Sequence, residues 1–495
     1  MLARTAPTVA ALLPPGDYPS TLLPTNQNPA ASLPPAAYRA LIDALGAPRV
    51  QTEPQVLELY AADEGPRRCA PLAVAFPTRH DDVAALVRIA NEFRVPLVAR
   101  GGGSGNVGGA LPAQGSIVVS FECMRRVIEF SPAERLIVVE SGVPTAEIDA
   151  RARTGGLFYP PDPGSAPYCR IGGNIGTNAA GPRAVKYGVT RDYVLGLRAV
   201  AGDGRTLVTG YRTSKGAVGY DLTRLLIGSE GTLALITEAT LRLVPAPAQV
   251  GTLRACYESG ASACAAVARV MSQPVVPSAL EFLDPAAIAA IQRAGAATDL
   301  PGRARALLMV EADGEPDAIV RALSDLKTAL TGPGLLELRE AADATEVQSL
   351  WEARRSLSRA VKRIAPLKIN EDVVVPVPKL AELVVAIETL ADAHRIPIVS
   401  FGHAGNGNLH VNLLVHPDDV DEMARARATL ARLFEVVLAL NGAISGEHGI
   451  GYEKRAFVPL EIAPDTLATM RAIKRTFDPN GILNPGKIFP EGPEL

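Results

Sequence analysis

The sequence has few cysteines, and their spacing excludes several classes of redox protein. There are five, an odd number, and no two of them form a CxxC pair. A disulfide framework, a zinc ribbon, a c-type haem site and a cysteine-ligated iron–sulfur cluster do not fit this inventory. If the protein carries out redox chemistry, its electrons must therefore leave for a separate acceptor. The five are Cys69, Cys123, Cys169, Cys256 and Cys264.

Long apolar runs and a large excess of charge are also absent. No stretch of about 18 uncharged apolar residues occurs, so no transmembrane helix is predicted. With 49 Lys and Arg against 52 Asp and Glu, the net charge of −3 gives no electrostatic footprint for nucleic acid or anionic lipid. Residues 1–35 hold one Arg and no continuous apolar core, which is not typical of a secretory signal. We expect a cytoplasmic protein and leave open whether it lies at the periphery of a membrane.

At 495 residues the chain is too long for one hydrophobic core. Changes in its composition and apolar pattern divide it into four segments. Residues 1–47 are expected to form an N-terminal arm on the surface. Residues 48–245 interrupt strand-like apolar runs with glycine clusters. Residues 246–440 alternate strand and helix patterns, which predicts an α+β domain whose sheet is covered by helices. Residues 441–495 return to glycine, asparagine and proline, and we expect them to close back onto the second segment.

Several individual elements follow from local patterns. Thr78, three residues before Asp81, resembles a capping box, and the apolar positions that follow predict a helix ending near Phe93. The third segment predicts strands at 251–257, 279–283, 304–311, 367–375 and 396–401. It also predicts a helix that ends at Met271 and helices at 285–293, 316–330 and 347–363.

Three glycine-rich segments are the clearest functional signal. Arg100–Gly109 follows a strand-like run and offers consecutive backbone N–H groups, an arrangement that can hold a diphosphate. No helix pattern starts within it, so it is not the GxGxxG fingerprint, and a flexible surface loop is the alternative for this segment alone. Ile171–Gly181 and Gly228–Leu233 have the same character. Because linkers would not recur in this way, we expect the three to line a groove for an extended dinucleotide.

Two glycine-flanked segments near the end of the chain contain three of the six histidines. Two imidazoles and a carboxylate, from His403, His410 and Glu447, suit a divalent cation such as zinc or manganese. His403 and His410 would lie on opposite faces of a regular strand, so they converge only if 404–408 loops out. His448 would then act as the base, and the alternative is that these histidines cap loops. The other histidines, expected at the surface, are His80, His394 and His416.

These glycine segments, together with Pro161-Asp-Pro163, resemble the FAD domain of the vanillyl-alcohol oxidase and p-cresol methylhydroxylase family. The resemblance spans residues 48–495 and implies a two-subdomain FAD-binding domain followed by a substrate, or cap, domain. It implies that the first segment cradles the FAD diphosphate and that the others run along the ribityl chain and flavin. The residues implied at the diphosphate are Arg100, Gly101, Gly102, Gly103, Ser104, Gly105 and Asn106. Those implied along the rest of the cofactor are Pro161, Gly172, Gly173, Thr177, Gly231 and Ile236.

The FAD is expected to be bound non-covalently. Many relatives tether it through a histidine near the first glycine segment, but this chain has no histidine between His80 and His394. Cys169 could form a cysteinyl bond, although a buried structural thiol is the favoured interpretation.

The histidine segments and Trp351-Glu-Ala-Arg354 resemble one branch of this family, the enzymes that oxidise D-2-hydroxy acids. The branch includes D-lactate dehydrogenases, D-2-hydroxyglutarate dehydrogenases and the flavin subunit of glycolate oxidase. The implied cation ligands are His403, His410 and Glu447, the implied base is His448, and the implied substrate contacts are Asn412 and Arg354.

The chain departs from the hydroxyglutarate enzymes at the strand near residue 370. Those enzymes carry a Lys two residues before an acidic residue, where this chain has Asn370 before Asp372. Lys368 would share that strand face and is predicted to substitute for that Lys.

We therefore predict an FAD-dependent D-2-hydroxy-acid dehydrogenase in which His448 removes the hydroxyl proton and hydride passes to flavin N5. The alternatives are another flavoenzyme of this fold, such as an alcohol or sugar oxidase or alkylglycerone-phosphate synthase, and a non-catalytic flavin subunit. The expected partner is a quinone, cytochrome, electron-transfer flavoprotein or iron–sulfur subunit that accepts electrons. Lactate, glycolate and 2-hydroxyglutarate all remain candidate substrates, and a homodimer is left open.

Overall fold

The computed structural model describes residues 32–293, 295 and 299–491, so the first 31 residues of the expected arm lie outside it. The strands, numbered in chain order, are β1 (Val50–Gln51), β2 (Ala73–Ala75), β3 (Leu97–Arg100), β4 (Ile117–Ser120), β5 (Val127–Ser131), β6 (Leu136–Glu140), β7 (Leu157–Phe158), β8 (Val194–Ala201), β9 (Thr206–Gly210), β10 (Ala234–Arg242), β11 (Val244–Pro245), β12 (Gln249–Tyr257), β13 (Ala279–Leu283), β14 (Ala306–Gly314), β15 (Leu335–Glu340), β16 (Leu367–Val374), β17 (Ile398–Gly402) and β18 (Asn408–Val415).

The α-helices are numbered in the same way. They are α1 (Pro35–Leu45), α2 (Pro54–Leu59), α3 (His80–Phe93), α4 (Thr145–Arg153), α5 (Ile171–Thr177), α6 (Ala184–Tyr187), α7 (Leu222–Leu226), α8 (Gly260–Ser272), α9 (Pro285–Arg293), α10 (Pro316–Leu330), α11 (Ala344–Val361), α12 (Leu380–His394), α13 (Val420–Ala439), α14 (Val458–Glu461) and α15 (Pro464–Phe477). Within the part of the chain that the structure describes, none of them is both long and apolar enough to cross a bilayer.

The chain divides into two compact units. The first unit contains residues 32–180, 189–246 and 447–491, and the second contains 181–188 and 247–446. The sequence did not predict that the short segment 181–188 belongs to the second unit. This segment is anchored there because Tyr187 Oη donates a hydrogen bond to Asp313 Oδ2 at 2.7 Å and Lys186 forms an ion pair with the same carboxylate.

The first unit contains two main sheets. One has the order β1-β2-β4-β3, in which β2, β3 and β4 are parallel, and the other is antiparallel with the order β5-β6-β10-β8-β9. Helix α3 packs on the first sheet through the predicted apolar positions, which are buried, and it ends at Phe93 as the sequence predicts. Its start differs from the prediction, because Asp82, and not Asp81, accepts hydrogen bonds from Thr78 N and Oγ1.

Residues 32–47 do not form the surface arm that the sequence predicts. They contain α1, which begins at Pro35, a residue that favours the first turn of a helix. Ala37, Leu41 and Leu45 share one face of α1 and are almost completely buried against the α3 side of the core. The proline-rich composition hid this apolar face, which is only three turns long.

His80 is also placed differently from the prediction, which puts it at the surface. It is buried at the start of α3, with Nδ1 2.9 Å from Thr237 Oγ1 and Nε2 2.8 Å from Thr206 Oγ1. Burial lowers the pKa of this imidazole. The neighbouring aspartates suggested solvent, whereas the first turn of α3 faces strands β9 and β10.

The second unit is built on a seven-stranded antiparallel sheet with the order β15-β12-β14-β13-β17-β18-β16. Helices α9 and α11 cover one face, where Leu283, Phe401 and Leu357 join one core cluster. Helices α8, α10, α12 and α13 pack on the other face. Strand β13 and helices α9 and α10 have the predicted bounds, and the α+β class is confirmed. Elements β15, β18, α12 and α13 had no counterpart in the sequence analysis.

Replacing Leu41 by Ala tests whether α1 is part of the core. The loss of packed methyl groups should lower the free energy of unfolding by about 2–5 kcal/mol, measured by urea denaturation followed by circular dichroism. Leu59→Ala is the control, because Leu59 is 74% exposed and its truncation should change stability by less than about 0.5 kcal/mol. Equal, small effects of the two substitutions would contradict the burial of α1.

Candidate active site

The three glycine-rich segments meet within the first unit. Gly228 N donates to Ile175 O at 2.9 Å and Glu230 N donates to Gly176 O at 2.8 Å, which joins the second segment to the third. The first segment packs on the chain just before the second, where a Cβ on Gly102 would lie only 2.4 Å from Tyr168 O. Gly102 is therefore required for this close approach.

The second segment is a short helix, α5, and not the loop that the sequence predicts. Gly172 N donates to Ser141 O at 2.9 Å, and Ser141 Oγ donates to Ile236 O at 2.5 Å, so one serine connects two of the predicted cofactor residues. Thr177 Oγ1 donates to Gly173 O at 3.3 Å within the helix. Glycines are poor helix formers, and this local preference suggested a loop.

The surroundings of the first and second segments fit an extended anionic cofactor. Among the residues that the structure describes, no atom outside the immediate backbone lies within 4 Å of the position that a Cβ on Gly173 would take, so space is open beside α5. The stem of Arg170 contacts Gly101, and Arg170 Nε is buried without a hydrogen bond to any described residue. A partly buried arginine whose Nε–H is unused, beside a glycine loop, matches the needs of a diphosphate. Sequence reasoning missed Arg170.

The segment around residue 62 supports the first glycine loop. Arg100 Nη1 donates to Ala62 O at 2.6 Å, and its guanidinium lies over the Tyr60 ring at 5.3 Å. Glu64 N donates to Gly105 O at 2.9 Å. Arg100 thus braces the loop that contains Ser104 and Asn106, and its contact with the cofactor stays a prediction. The other predicted cofactor residues are the buried Pro161 and the positive-φ Gly231.

Residues after 447 fasten the glycine segments to each other. Asn484 Nδ2 donates to Gly109 O at 3.0 Å and to Glu230 O at 2.7 Å, and Lys487 Nζ donates to Leu111 O at 2.7 Å. Burial lowers the pKa of Lys487 to about 8. These contacts fix the spacing between the first and third segments.

Asp63 is a mostly buried carboxylate beside the first glycine loop. Its Oδ1 accepts a hydrogen bond from Gly65 N at 2.9 Å, whereas Oδ2 is buried without a hydrogen bond among the residues that the structure describes. Burial raises its pKa to about 6, against the lowering effects of the Gly65 N–H, Lys487 and Arg100. Folding of the first unit therefore favours the protonated form of Asp63 more than the unfolded chain does.

In the second unit, strand register brings a row of polar side chains to the sheet face that α9 and α11 cover. Asn370 lies opposite Asn412, and Asp372 lies opposite His410, which in turn lies opposite Phe401. Side chains of directly opposed residues point to the same face. Lys368, two residues before Asn370, lies on the same face, as the sequence predicts.

His403 and His410 converge because the chain between them turns tightly. Ala404–Asn406 forms a 3₁₀ turn, and Gly407 follows with φ +73°. A Cβ on Gly407 would lie 1.9 Å from Val375 O, so only glycine fits. The two imidazole centroids are 5.3 Å apart, and the rings offer nitrogens within 4.8 Å of one another. The predicted looping-out of this segment is confirmed.

Glu281 of β13 joins this row and was missed by sequence reasoning. It is fully buried, its Oε1 lies 2.5 Å from His403 Nδ1, and its Oε2 accepts hydrogen bonds from Arg354 Nε and Nη2 at 2.7 and 2.6 Å. Burial alone would raise its pKa, but the charges and hydrogen bonds of His403 and Arg354 lower it to about 2. The sequence feature that could have identified Glu281 is a single acidic residue within the apolar run 279–283.

Helix α11 presents Arg354 to the sheet. The Arg354 guanidinium also lies over the Phe401 ring, 4.8 Å from its centroid, and its side chain is 11% exposed. Three residues earlier, Trp351 Nε1 donates to Glu311 Oε2 at 2.9 Å and holds the helix on β14. The predicted Arg354 is therefore fixed in position by an anion and an aromatic ring.

Asp372 connects His410 to the last residue of the second unit, Gly446. Its Oδ1 accepts from Asn408 Nδ2 at 2.6 Å and lies 3.9 Å from His410 Nδ1, and its Oδ2 accepts from Gly446 N at 2.9 Å. Glu447 and His448 follow Gly446 directly in the chain. Sequence reasoning quoted Asp372 only as a departure from the hydroxyglutarate pattern and gave it no role.

Replacing Arg170 by Met tests the diphosphate site. Met keeps an unbranched stem against Gly101 and removes the donors, so the dissociation constant of FAD should rise about 10- to 100-fold. Fluorescence titration of flavin-free protein measures this constant. Arg125→Met, at an exposed guanidinium, is the control and should leave FAD affinity unchanged. Unchanged affinity in Arg170→Met would contradict the assignment.

Asp63→Asn should alter the pH dependence of stability. Because the folded-state pKa of about 6 exceeds the ordinary 3.8, ionisation of Asp63 opposes folding, and wild-type stability falls relative to the variant as pH rises from 3.8 to about 6. Above that pH the variant should be more stable by up to about 3 kcal/mol. Urea denaturation from pH 4 to pH 7.5 measures the difference, and a difference independent of pH would refute the raised pKa.

Comparison with known families covers most of the chain. Residues 71–210 match the model described as FAD binding domain, and residues 246–488 match the model described as FAD linked oxidases, C-terminal domain.

Full-length relatives agree with these matches. The glycolate oxidase subunit GlcD of Bacillus subtilis is 39% identical over 432 residues, which is 87% of this chain and 92% of the relative. The D-2-hydroxyglutarate dehydrogenase of Stutzerimonas stutzeri is 37% identical over 452 residues, 89% of this chain and 96% of the relative. The crystal structure of p-cresol methylhydroxylase matches with a TM-score of 0.78 at 17% identity, over 92% of this chain and 96% of that one, and shares the fold. This chain belongs to the FAD-linked oxidase family and is an FAD-binding oxidoreductase.

Proposed function

We propose that this protein oxidises a D-2-hydroxy acid to the corresponding 2-oxo acid, with a divalent cation, zinc or manganese, in the substrate site. The observation that carries the proposal is the buried polar row of the second unit, in which two imidazoles offer nitrogens within 4.8 Å beside a fixed arginine. Such a donor set suits a divalent cation next to an anionic substrate. When bound, FAD would accept the two electrons and the cation would make the substrate hydroxyl more acidic.

His403, His410 and Glu447 would hold the cation. The donor chemistry fits, because Glu281 accepts from His403 Nδ1 and so leaves Nε2 as a lone-pair donor. Glu447 is a candidate because it follows Gly446, whose N–H is fixed by Asp372. Two imidazoles and one carboxylate leave coordination positions open for a substrate.

Arg354 and Asn412 would orient the substrate. A guanidinium can bind a carboxylate through two parallel hydrogen bonds, and Arg354 is already held in one orientation by Glu281 and Phe401. Asn412 is fully buried and donates to Val399 O at 3.0 Å, while its Oδ1 has no hydrogen bond to a described residue. That oxygen would accept a hydrogen bond from the substrate.

His448 would take the proton from the substrate hydroxyl. It neighbours the cation ligand Glu447 in the chain, which would place its imidazole near a hydroxyl held at the same cation, and an imidazole can act as a general base there. Lys368, two positions along the sheet face from Asn370, would meet the side chain of larger acids and so contribute to substrate choice.

The electrons would leave for a separate partner: a quinone, a cytochrome, an electron-transfer flavoprotein or an iron–sulfur subunit. Two observations support this. The five cysteines provide no CxxC pair for a second redox centre, and one relative is named as a subunit of glycolate oxidase.

Anaerobic flavin reduction tests the proposed reaction. The flavin-loaded protein is mixed with both enantiomers of lactate, glycolate and both enantiomers of 2-hydroxyglutarate, and the oxidised flavin band is followed. We expect one acid, in its D form where it is chiral, to bleach the band, and we expect the bleaching to disappear after chelation and return with Zn²⁺ or Mn²⁺.

His403→Ala and His416→Ala form a matched pair for this experiment. His416 is exposed and hydrogen-bonded to Glu422, so its loss should leave the bleaching rate unchanged, whereas loss of His403 should abolish the metal-dependent rate. Bleaching that persists unchanged in His403→Ala, or no bleaching by any of these acids in the metal-replete protein, would refute the proposal.

A further inference from the structure

One acidic side chain in the second unit is not explained by apolar packing. Glu281 occupies the centre of β13, whose other four residues are buried and apolar. Burying a carboxylate costs several kcal/mol unless charged or hydrogen-bonded partners compensate. Glu281 has two such partners, and each comes from a different element of the candidate site.

We propose that Glu281 is a positioning residue that links the cation ligand His403 to the substrate-binding Arg354. The inference rests on the proposed function and deepens it, because one carboxylate would couple the cation ligand to the substrate-binding arginine. Its geometric basis is a divided carboxylate, in which Oε1 faces His403 Nδ1 at 2.5 Å and Oε2 faces Arg354 Nε and Nη2 at 2.7 and 2.6 Å.

The first consequence concerns the tautomer of His403. Because its other oxygen is paired with the Arg354 guanidinium, the Glu281 carboxylate acts as an acceptor, and we infer that His403 Nδ1 carries the proton between them. In the neutral ring, Nε2 is then left as the lone-pair donor, which is the form that binds a cation. The imidazole of His403 also lies edge-on to that of His410, at an interplanar angle of 87°, so its orientation is restricted on two sides.

The second consequence concerns Arg354. Two of its three nitrogens bond to the same carboxylate oxygen, and the guanidinium lies over Phe401. Its plane is therefore fixed before a substrate arrives, and little conformational entropy is lost when a carboxylate binds. A single carboxylate thereby fixes the position of the cation ligand His403 relative to the substrate-binding Arg354.

Glu281→Gln in the flavin-loaded protein tests this role. Glutamine has nearly the same shape, but it is neutral and its amide group cannot accept from both partners. Removal of the carboxylate should weaken Zn²⁺ binding about 10- to 100-fold, measured by competition with a fluorescent chelator. At saturating Zn²⁺, kcat for the bleaching acid should fall more than KM changes, because substrate orientation is lost.

Glu311→Gln is the matched control. Glu311 is a buried carboxylate on the neighbouring strand β14, and it accepts from Trp351 of the same helix α11, but it contacts no histidine in the described structure. A purely structural role for Glu281 would make both variants less stable and leave Zn²⁺ affinity unchanged in both. Equal Zn²⁺ affinity of Glu281→Gln and wild type would overturn the proposal.

Two further measurements keep the test decisive. If Glu281→Gln does not fold, Glu281→Asp retains the charge but is too short to reach both partners, and Zn²⁺ binding should still weaken. Independently of any cation, ¹⁵N NMR of histidine-labelled, metal-free protein should show His403 protonated at Nδ1, with His403→Ala providing the assignment. Protonation at Nε2 would overturn the proposal.

These outcomes separate the two hypotheses. A wild type that binds Zn²⁺ and oxidises a D-acid, together with an unaffected Glu281→Gln, would refute the role of Glu281 alone. A wild type that shows the Nδ1 tautomer but binds no Zn²⁺ would refute the proposed cation and support the contact that Glu281 makes.

Discussion

Charges buried on one face of the seven-stranded sheet must be paired inside the protein, and this requirement organises the candidate site. Glu281 is paired with His403 and Arg354, and Asp372 accepts from Asn408 and from the backbone of Gly446. Each pairing uses particular atoms, so it fixes the position of its partner. The site is therefore held in place before any cofactor, cation or substrate binds.

Backbone geometry supplies the spacing that this pairing needs. Antiparallel register sets Asp372, His410 and Phe401 in one row, and the turn through Gly407 brings His403 to the same place. In the first unit, close packing at Gly102 and the bonds from Asn484 have the same effect on the glycine segments. Both units thus use glycine where backbone has to approach backbone, and polar side chains where loops have to be held.

Features that depend on local sequence patterns were predicted well. Features that depend on partners distant in sequence were not. The bounds of β13, α9 and α10 follow from apolar periodicity, and the histidine segments stand out through their composition. Glu281 was missed because a single acidic residue in an apolar strand acquires meaning only through His403, more than 100 residues away. His80 and Arg170 were misread or missed for the same reason, since their surroundings come from other strands and loops.

We propose that this FAD-linked oxidoreductase holds its substrate at a divalent cation. The most direct test is a crystal structure of the flavin-loaded, Zn²⁺-soaked protein, with anomalous diffraction data collected on both sides of the zinc edge. We expect one strong anomalous peak about 2.0–2.2 Å from His403 Nε2, from a His410 nitrogen and from a Glu447 oxygen. A peak at other residues only, or none at these three in crystals whose flavin a D-2-hydroxy acid still reduces, would contradict it.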